Sequence, residues 1–508
     1  MARVAGGDDG GGGADGDRPF PPGEYPILVV GSGPGGLQTS YCLRRLGVEH
    51  AVISRDDRPG GMFRWYPVFQ RLLSWTQLDA PFERGSREFE WYDHNSLLGD
   101  EREHQALICD VLDRSHVVPT RQQMEDGLAA FAERTPLRVR YGCSWESTRR
   151  ENGRLVLTTS DGEYRCRAAV FALGVTEPWR SPIPGIDQVP HYADCRHGED
   201  YAGKSVFIIG KRNSAFELAD GLLPWASRIV LASPRPVETS NFAQASVRAR
   251  YLQPYEVSVL GGGTYAVDAA IERIERDADG FRISASGTTR PGRIEMRADA
   301  AIAATGFTTP LRDQPQLGVA AVAQGRIPAL TPFWRSVSAE DIYFAGNATQ
   351  GAAGLRKHGV GSSSPAVHGF RYNARVLAEH LARDLFGIER ERRRFEPAQL
   401  VPFLLHELAH APELWAQKGY LARAVRFEPA QGIVDAGVVP LAHFVDAGGP
   451  EAIAVAVEMD TRGQIYPAAY RWRGGRLRGV ELAGELLHRF QDAEHARVLT
   501  ELLDDVVR

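Results

Sequence analysis

Runs of consecutive apolar residues, each followed by residues that are apolar at every third or fourth position, recur along this chain. The first run is Ile27 to Val30, with a helix-compatible stretch from Leu37 to Leu46 behind it. An unbroken apolar run predicts a strand covered on both faces, and the spacing after it predicts a helix lying on that strand. Glu49 to Ser54 supplies a second strand. Between Val117 and Arg134, Met124, Leu128 and Phe131 share one helical face, with Thr120 at the N-cap. From Leu137 to Leu173 the pattern shortens to strands, at Arg138 to Tyr141 and Leu155 to Thr159, with Asp161-Gly162 as a hairpin turn. Ala168 to Gly174 closes this stretch as another buried strand.

The strand-then-helix pattern returns at Lys204 to Gly210, followed by a helix through Phe216, Leu218, Ala219 and Leu222 and a strand at Arg228 to Ala232. Ala298 to Phe307 and Asp341 to Asn347 read as two more strands. After Pro365, the residues Val367, Phe370, Ala374, Leu377 and Leu381 lie at helical spacing. Near the end, Ala452 to Met459 and Ile465 to Trp472 are strand-like, Gly474-Gly475 forms a turn, and Glu481 to Val507 reads as a helix. The alternation predicts an α/β fold with two Rossmann-like dinucleotide-binding domains and a small C-terminal α+β appendage.

What joins the first strand to its helix is Gly31-Ser32-Gly33-Pro34-Gly35-Gly36, a GxGxxG in its proper context. Gly31 permits the tight turn, Gly33 leaves the backbone open to a pyrophosphate, and Gly36 lets the helix pack closely on the strand. The phosphates then meet the unpaired N–H groups and the positive end of the helix. An acid about 20 residues further on should hold the ribose hydroxyls, and Asp56 is assigned that contact. Pro59 to Pro67 is a turn with two glycines, Gly60 and Gly61, leading into an aromatic cluster that includes Trp65.

The second junction is Gly210-Lys211-Arg212-Asn213-Ser214-Ala215, in which Arg212 replaces the middle glycine. A guanidinium there can pair with a phosphate directly. The next strand leads to Ser233 and Arg235 in place of an acid, which favours NADPH over NADH. A solvent-facing role for Arg235 fits the sequence equally well.

At 508 residues the chain is too long for a single core. Apolar residues make up 43% and charged residues 24%, ordinary for a globular protein, and the net charge of -5 gives no support for nucleic-acid or acidic-lipid partners. No apolar run reaches the roughly 18 to 20 residues that cross a bilayer, so no membrane partner is expected. Met1 to Gly23, rich in Gly and Asp, reads as a disordered leader without an apolar targeting core, and a cytoplasmic protein is expected. The five cysteines, at 42, 109, 143, 166 and 195, never form a CxxC pair, which argues against a local redox disulfide.

One motif points to different chemistry. His406-Glu407-Leu408-Ala409-His410 matches HExxH, which on a helix sets two histidines on one face to bind zinc, with the glutamate as base. Pro402 and Pro412 are expected to confine that helix, and no further histidine completes the longer form of the motif. The competing reading is a plain amphipathic helix with Phe403, Leu404 and Leu408 turned inward, and no metal is assigned.

The order GxGxxG, PGG with aromatics, a strand ending at Gly174, the second Gly-to-Ala unit at 210–215, Ala-Thr-Gly at 304–306, and Ala-Gly-Asn at 345–347 before a helix resembles the two-dinucleotide-binding-domain flavoproteins. Within them the chain is most similar to the class B flavin monooxygenases, the flavin-containing, N-hydroxylating and Baeyer-Villiger types. The stretches His191 to Arg196 and Asp200 to Lys204 resemble the linker before the nicotinamide-cofactor strand in that group.

The resemblance implies FAD and NADPH as cofactors, with a FAD domain at 24–195 and 298–389, an NAD(P)H domain at 196–297, and the appendage at 390–508. Gly31, Gly33, Gly36, Asp56, Gly61, Trp65, Gly346 and Asn347 would then serve FAD. Gly210, Arg212, Ser214 and Arg235 would serve NADPH, and the helix after Ser364 would direct its positive end at the flavin. The implied activity is oxygenation of a small organic substrate with O2, through a C4a-(hydro)peroxyflavin. A homo-oligomer stays open, and the alternative on the same fold is an NAD(P)H:acceptor flavin reductase without a redox disulfide. One departure stands out: the family's flavin-side Asn is missing from the segment that here reads Leu72 to Gln77.

Overall fold

A computed structural model of the chain describes residues 18–66, 72–237, 263–311, 314–355, 357–447 and 449–507. Most of the expected leader and Pro67 of the aromatic turn lie outside these residues. The last part of that leader is engaged: Arg18 pairs with Asp161 at 2.9 Å, and Gly23 already opens the first strand opposite Tyr164.

The first sheet is built on β1 (Gly23–Val30), whose last four residues are fully covered, and on helix α1 (Pro34–Arg45) behind it. β2 (Ala51–Ile53) pairs with β1 in parallel. Helix α2 (Arg121–Arg134) starts at the expected Thr120, which exchanges side-chain and backbone hydrogen bonds with Gln123 as a capping box. The meander β3 (Trp145–Glu151), β4 (Arg154–Thr159) and β5 (Gly162–Phe171) follows, and the far half of β5 runs parallel to β1. Residues 138–141 do not form the expected strand; they supply only a single bridge, Arg140 to Ile53, beside β2. The two-residue turn is Ser160-Asp161, one position earlier than expected, because Gly162 already pairs with Thr159.

The second sheet comprises β6 (Ser205–Ile209), helix α3 (Asn213–Leu222), β7 (Arg228–Ser233), β8 (Thr264–Asp277), β9 (Gly280–Gly287), β10 (Arg293–Ala298) and β11 (Ala300–Ala303). β11, β6, β7 and β8 lie side by side in parallel, and β9 and β10 extend the sheet as an antiparallel meander that the apolar pattern did not predict. The chain then returns to the first sheet with β12 (Ile342–Phe344), parallel to β5, and continues into α4 (Val367–Phe386), which packs on α1.

The C-terminal region is a six-stranded antiparallel sheet. Its main strands are β13 (Leu421–Glu428), β14 (Gly432–Pro440), β15 (Ala452–Met459), β16 (Ile465–Arg473) and β17 (Arg476–Glu481). Helix α5 (Pro397–His410) covers one face and continues straight through Pro402, contrary to expectation. Glu481 ends a strand instead of starting a helix; helix α6 runs from Ala493 to Leu502, and a short helical turn, Asp504–Val507, follows it. The expected Gly474-Gly475 turn folds β17 back on β16, which carries Glu481 into the sheet opposite Ala468. Among the described residues, no helix is long and apolar enough to cross a membrane.

Candidate functional site: a glycine-floored cavity and a second nucleotide junction

Gly31, at φ +114°, leads out of β1 in a conformation that an L side chain rarely adopts, and a Cβ there would stand 2.6 Å from the carbonyl oxygen of Ala172. Gly36 lies just beneath, where a Cβ would come within 2.0 Å of the Gly31 carbonyl oxygen. Gly33 and Gly61 face one another: a Cβ on Gly61 would be 2.8 Å from the Gly33 Cα. These close approaches leave bare backbone at the floor of a cavity of about 480 Å³, into which the N-terminus of α1 opens.

Seven of the residues expected to serve FAD line this one cavity: Gly31, Gly33, Asp56, Gly61, Trp65, Gly346 and Asn347. Asp56 is half-buried, and burial pushes its carboxyl pKa up while Arg55 and Arg64 pull it down. Its N–H donates to the Oγ of Ser54 at 3.2 Å, and the Ser54 and Ser32 hydroxyls lie 2.8 Å apart. Trp65 is 51% exposed on the rim, with the Arg64 guanidinium 5.5 Å from its ring. The Asn347 Oδ1 is buried and has no hydrogen-bond partner among the described residues. A cradle of bare backbone with an unsatisfied buried carbonyl oxygen at its side is suited to a dinucleotide with a polyol arm.

At the other end of the cavity the Leu72 to Gln77 segment and the helix after Ser364 meet as the resemblance implied, and Asn95, which sequence reasoning missed, joins them. Leu73, Ser74, Asn95, Pro365, Ala366 and Phe370 meet there, brought together by the N-terminal end of α4 and two loops. Asn95 donates through its amide to the Ser74 carbonyl at 3.1 Å and to the Thr76 hydroxyl at 3.0 Å. An asparagine therefore sits on the segment that lacks one of its own. Asp93 fixes it by accepting from Thr76 Oγ1 at 2.9 Å and from the Asn95 N–H at 3.0 Å. His368 lies 3.5 Å from the Ser74 hydroxyl and stacks on His94 at 4.5 Å, which in turn packs on Trp75 at 4.1 Å. Burial, and then the charge of Arg371, holds His94 neutral down to about pH 4.

The second junction repeats the first. Gly210, at φ +133°, follows β6 just as Gly31 follows β1, and a Cβ on it would stand 2.6 Å from the Ala304 carbonyl oxygen. The middle position tolerates Arg212 because its backbone is extended, at φ −111° and ψ −172°. Arg212 and Arg235 are both exposed and Ser214 is half-buried. Arg212 occupies the N-cap position of the helix after β6, without a capping side-chain hydrogen bond, and Arg235 follows β7, so both stand at the same ends of adjacent parallel strands. Arg326, stacked on Trp179 at 4.7 Å, feels the charge of Arg212 and was not anticipated. The buried Lys211 points elsewhere, into an ion pair with Asp268.

The HExxH residues are on α5 as drawn, with the rings of His406 and His410 at 4.8 Å. Glu407, however, is buried in a two-pronged ion pair with Arg87, at 2.9 and 2.8 Å. Glu413 holds the same guanidinium at 3.2 and 2.9 Å. The motif thus joins the appendage to the first domain, and its carboxylate is committed to Arg87. Among the described residues, the His, Cys, Asp and Glu groups spaced for a metal are Glu101, Glu103 and His104, and Glu485, Asp492 and His495, neither of which includes the motif. All five cysteines are buried free thiols, and burial pushes Cys42, Cys109, Cys143, Cys166 and Cys195 upward in pKa.

The family profile described as pyridine nucleotide-disulphide oxidoreductase matches residues 28–346. The chain belongs to this family and is an oxidoreductase of the two-dinucleotide-binding-domain type. It is 26% identical over 452 residues to FAD-dependent oxidoreductase domain-containing protein 2 of Danio rerio, covering 78% of this chain and 64% of that one. The chain thus spans less than two thirds of that relative. It is 29% identical over 206 residues to the probable indole-3-pyruvate monooxygenase YUCCA9 of Arabidopsis thaliana, covering 38% of this chain and 43% of that one. Among solved structures, bacillithiol disulfide reductase from Staphylococcus aureus shares the fold, with a TM-score of 0.55 and 17% identity over 71% of this chain and 99% of that one. The likeness to class B flavin monooxygenases drawn from the motifs holds at the level of relatives and fold.

Proposed function

We propose that the chain is an NADPH-dependent FAD monooxygenase acting on a small organic substrate with O2. The observation that carries this reading is the buried inner end of the cavity. Leu72, Asn95, Val367 and Phe370 there are 8%, 2%, 6% and 4% exposed, and among the described residues Cys143, a lone free thiol, is the one cysteine that lines the cavity. A water-excluding wall without a dithiol suits oxygenation better than reduction of a disulfide.

In this reading the Gly31 to Gly36 turn and the start of α1 bind the pyrophosphate, Asp56 the ribose, and Gly346 with Asn347 the polyol arm. Gly61 and Trp65 bound the adenine-to-flavin path, and the N-terminus of α4 stabilises negative charge on the ring. FAD held by these residues would supply the redox chemistry, taking electrons from NADPH and passing them to O2. Gly210, Arg212, Ser214 and Arg235 hold the nicotinamide cofactor, with the two guanidinium groups toward the 2′-phosphate. Asn95, locked by Asp93, offers a fixed polar group beside the ring. The domains follow: FAD binding at 24–195 and 298–389, NADPH binding at 196–297, and the appendage from 390 onward.

The test is turnover of the purified holoenzyme with NADPH under labelled O2 against a panel of amines, sulfides and ketones. Incorporation of one labelled oxygen per NADPH supports the reading. NADPH oxidation coupled only to a reduced acceptor, with no label in any product, would establish the reductase alternative.

A further inference from the structure

Gln417 belongs to the C-terminal region, beyond the residues that the family profile matches, yet it is fully buried beneath the inner end of the cavity. It follows a short helical turn, Pro412 to Ala416, that is anchored by Glu413 on Arg87. Its amide oxygen accepts from the Ser363 N–H at 3.2 Å. Its amide nitrogen donates to the Ser364 hydroxyl at 3.0 Å and to the Asn373 carbonyl oxygen at 2.7 Å. Ser363 and Ser364 are the approach to α4, and Asn373 lies within α4.

The contacts continue. The Asn373 amide donates to the Thr349 hydroxyl at 2.9 Å and to the Ser364 hydroxyl at 3.0 Å. Thr349 donates in turn to the carbonyl oxygen of Gly346 at 2.6 Å. Gln417, Asn373, Thr349 and Ser364 are 0%, 1%, 1% and 2% exposed, so solvent cannot replace any partner that is lost. The relay ends at the two segments that face the cavity: Gly346-Asn347 and the residues Pro365 to Val367 at the N-terminus of α4.

We propose that Gln417 is a positioning residue for the flavin, through which the C-terminal region holds the α4 N-terminus and the Gly346-Asn347 turn in register with the cofactor. The appendage is then part of the redox site and not a detachable cover. This rests on the FAD reading above. The positive end of a helix stabilises negative charge on a reduced ring only while its first turn stays fixed against the ring, so loosening Gln417 makes the flavin harder to reduce.

The experiment uses the full chain and compares Gln417→Leu, Gln417→Glu and Glu413→Gln with the unmodified protein. The readouts are FAD affinity, flavin midpoint potential and melting temperature. Gln417→Leu is expected to weaken FAD about tenfold and to shift the potential to more negative values. Gln417→Glu keeps the acceptor for Ser363 but loses the donor to Ser364 and Asn373, and it shifts the potential the same way; it serves as the readout if the leucine variant does not fold. Glu413→Gln, which loosens the Arg87 anchor of that turn but leaves the hydrogen bonds of Gln417 in place, lowers the melting temperature and shifts the potential less than either Gln417 variant.

Wild-type potential and affinity in the folded Gln417 variants would overturn the proposal, as would a Glu413→Gln shift of equal size. If the unmodified protein binds no FAD at all, the cofactor reading itself fails, an outcome distinct from either of these.

Discussion

Gly35 and Gly346 meet backbone to backbone: a Cβ on Gly35 would stand 2.4 Å from the Cα and 2.5 Å from the nitrogen of Gly346. The first turn of α1 and the turn after β12 therefore form one surface, and Gly35 works by contact with the chain, whereas Gly33 works by what it leaves open. Gly35→Ala is expected to destabilise the fold by about 1–3 kcal/mol through overpacking and to lower FAD content with it. For Gly33→Ala the nearest atom to the new methyl is the Gly61 Cα at 3.7 Å, ordinary contact. Its apo-protein should unfold normally while FAD binding weakens. Melting curves of both apo-proteins with FAD titrations check this; a Gly35→Ala protein as stable as wild type would refute the packing argument.

Arg212 and Arg235, exposed at the ends of adjacent strands, are expected to act on the 2′-phosphate and not on the flavin. Replacing either with alanine should raise KM for NADPH about tenfold, as loss of one charge-assisted contact does, and leave FAD content and KM for NADH unchanged. Steady-state kinetics with both nicotinamide cofactors decide it. Equal losses with NADH would mean that the arginines hold the pyrophosphate instead.

Glu407 is expected to be structural. Glu407→Gln should cost about 2 kcal/mol of stability, below the usual 3–5 for a broken buried pair, because Arg87 keeps Glu413 and its side chain is 34% exposed. His406→Ala and His410→Ala should leave NADPH oxidation intact. Denaturant unfolding and turnover assays separate the effects, and loss of activity with unchanged stability in a histidine variant would revive a chemical role for the motif.

Acid should destabilise the protein before its carboxylates titrate. Burial holds His94 neutral to about pH 4, with Arg371 adding to the effect, and it does the same for His380, stacked on Phe333 at 4.1 Å and only partly opposed by Asp384. The unfolded chain takes up protons on these histidines near pH 6.5, so between about 6.5 and 4 it binds more protons than the native state. Stability then falls as pH drops through that window, by up to about 1.4 kcal/mol per unit for each histidine. Urea unfolding at pH 7 and pH 5 measures the slope, which His94→Phe should reduce; an unchanged slope in that variant would show that His94 does not contribute.

The strand-turn-helix junctions at Gly31 and Gly210 were legible because they are local. A tight turn, a close helix and an open backbone each demand a residue type within a few positions, and the chain writes them consecutively. The same holds for Thr120, whose capping box spans four residues, Thr120 to Gln123. The C-terminal meander was only half legible, since β13, β14 and β17 are irregular in pattern and are specified by their partners across the sheet.

The sequence by itself determined two nucleotide folds in a fixed order, because backbone conformation and hydrophobic period are properties of neighbouring residues. Only the tertiary structure decided what surrounds the inner end of the cavity. Asn95 reaching the Ser74 segment, Glu407 spent on Arg87, and Gln417 beneath the α4 N-terminus are contacts between residues far apart in the chain. Their hydrogen bonds form only once separate elements have packed and excluded water, and no spacing along the chain encodes that meeting.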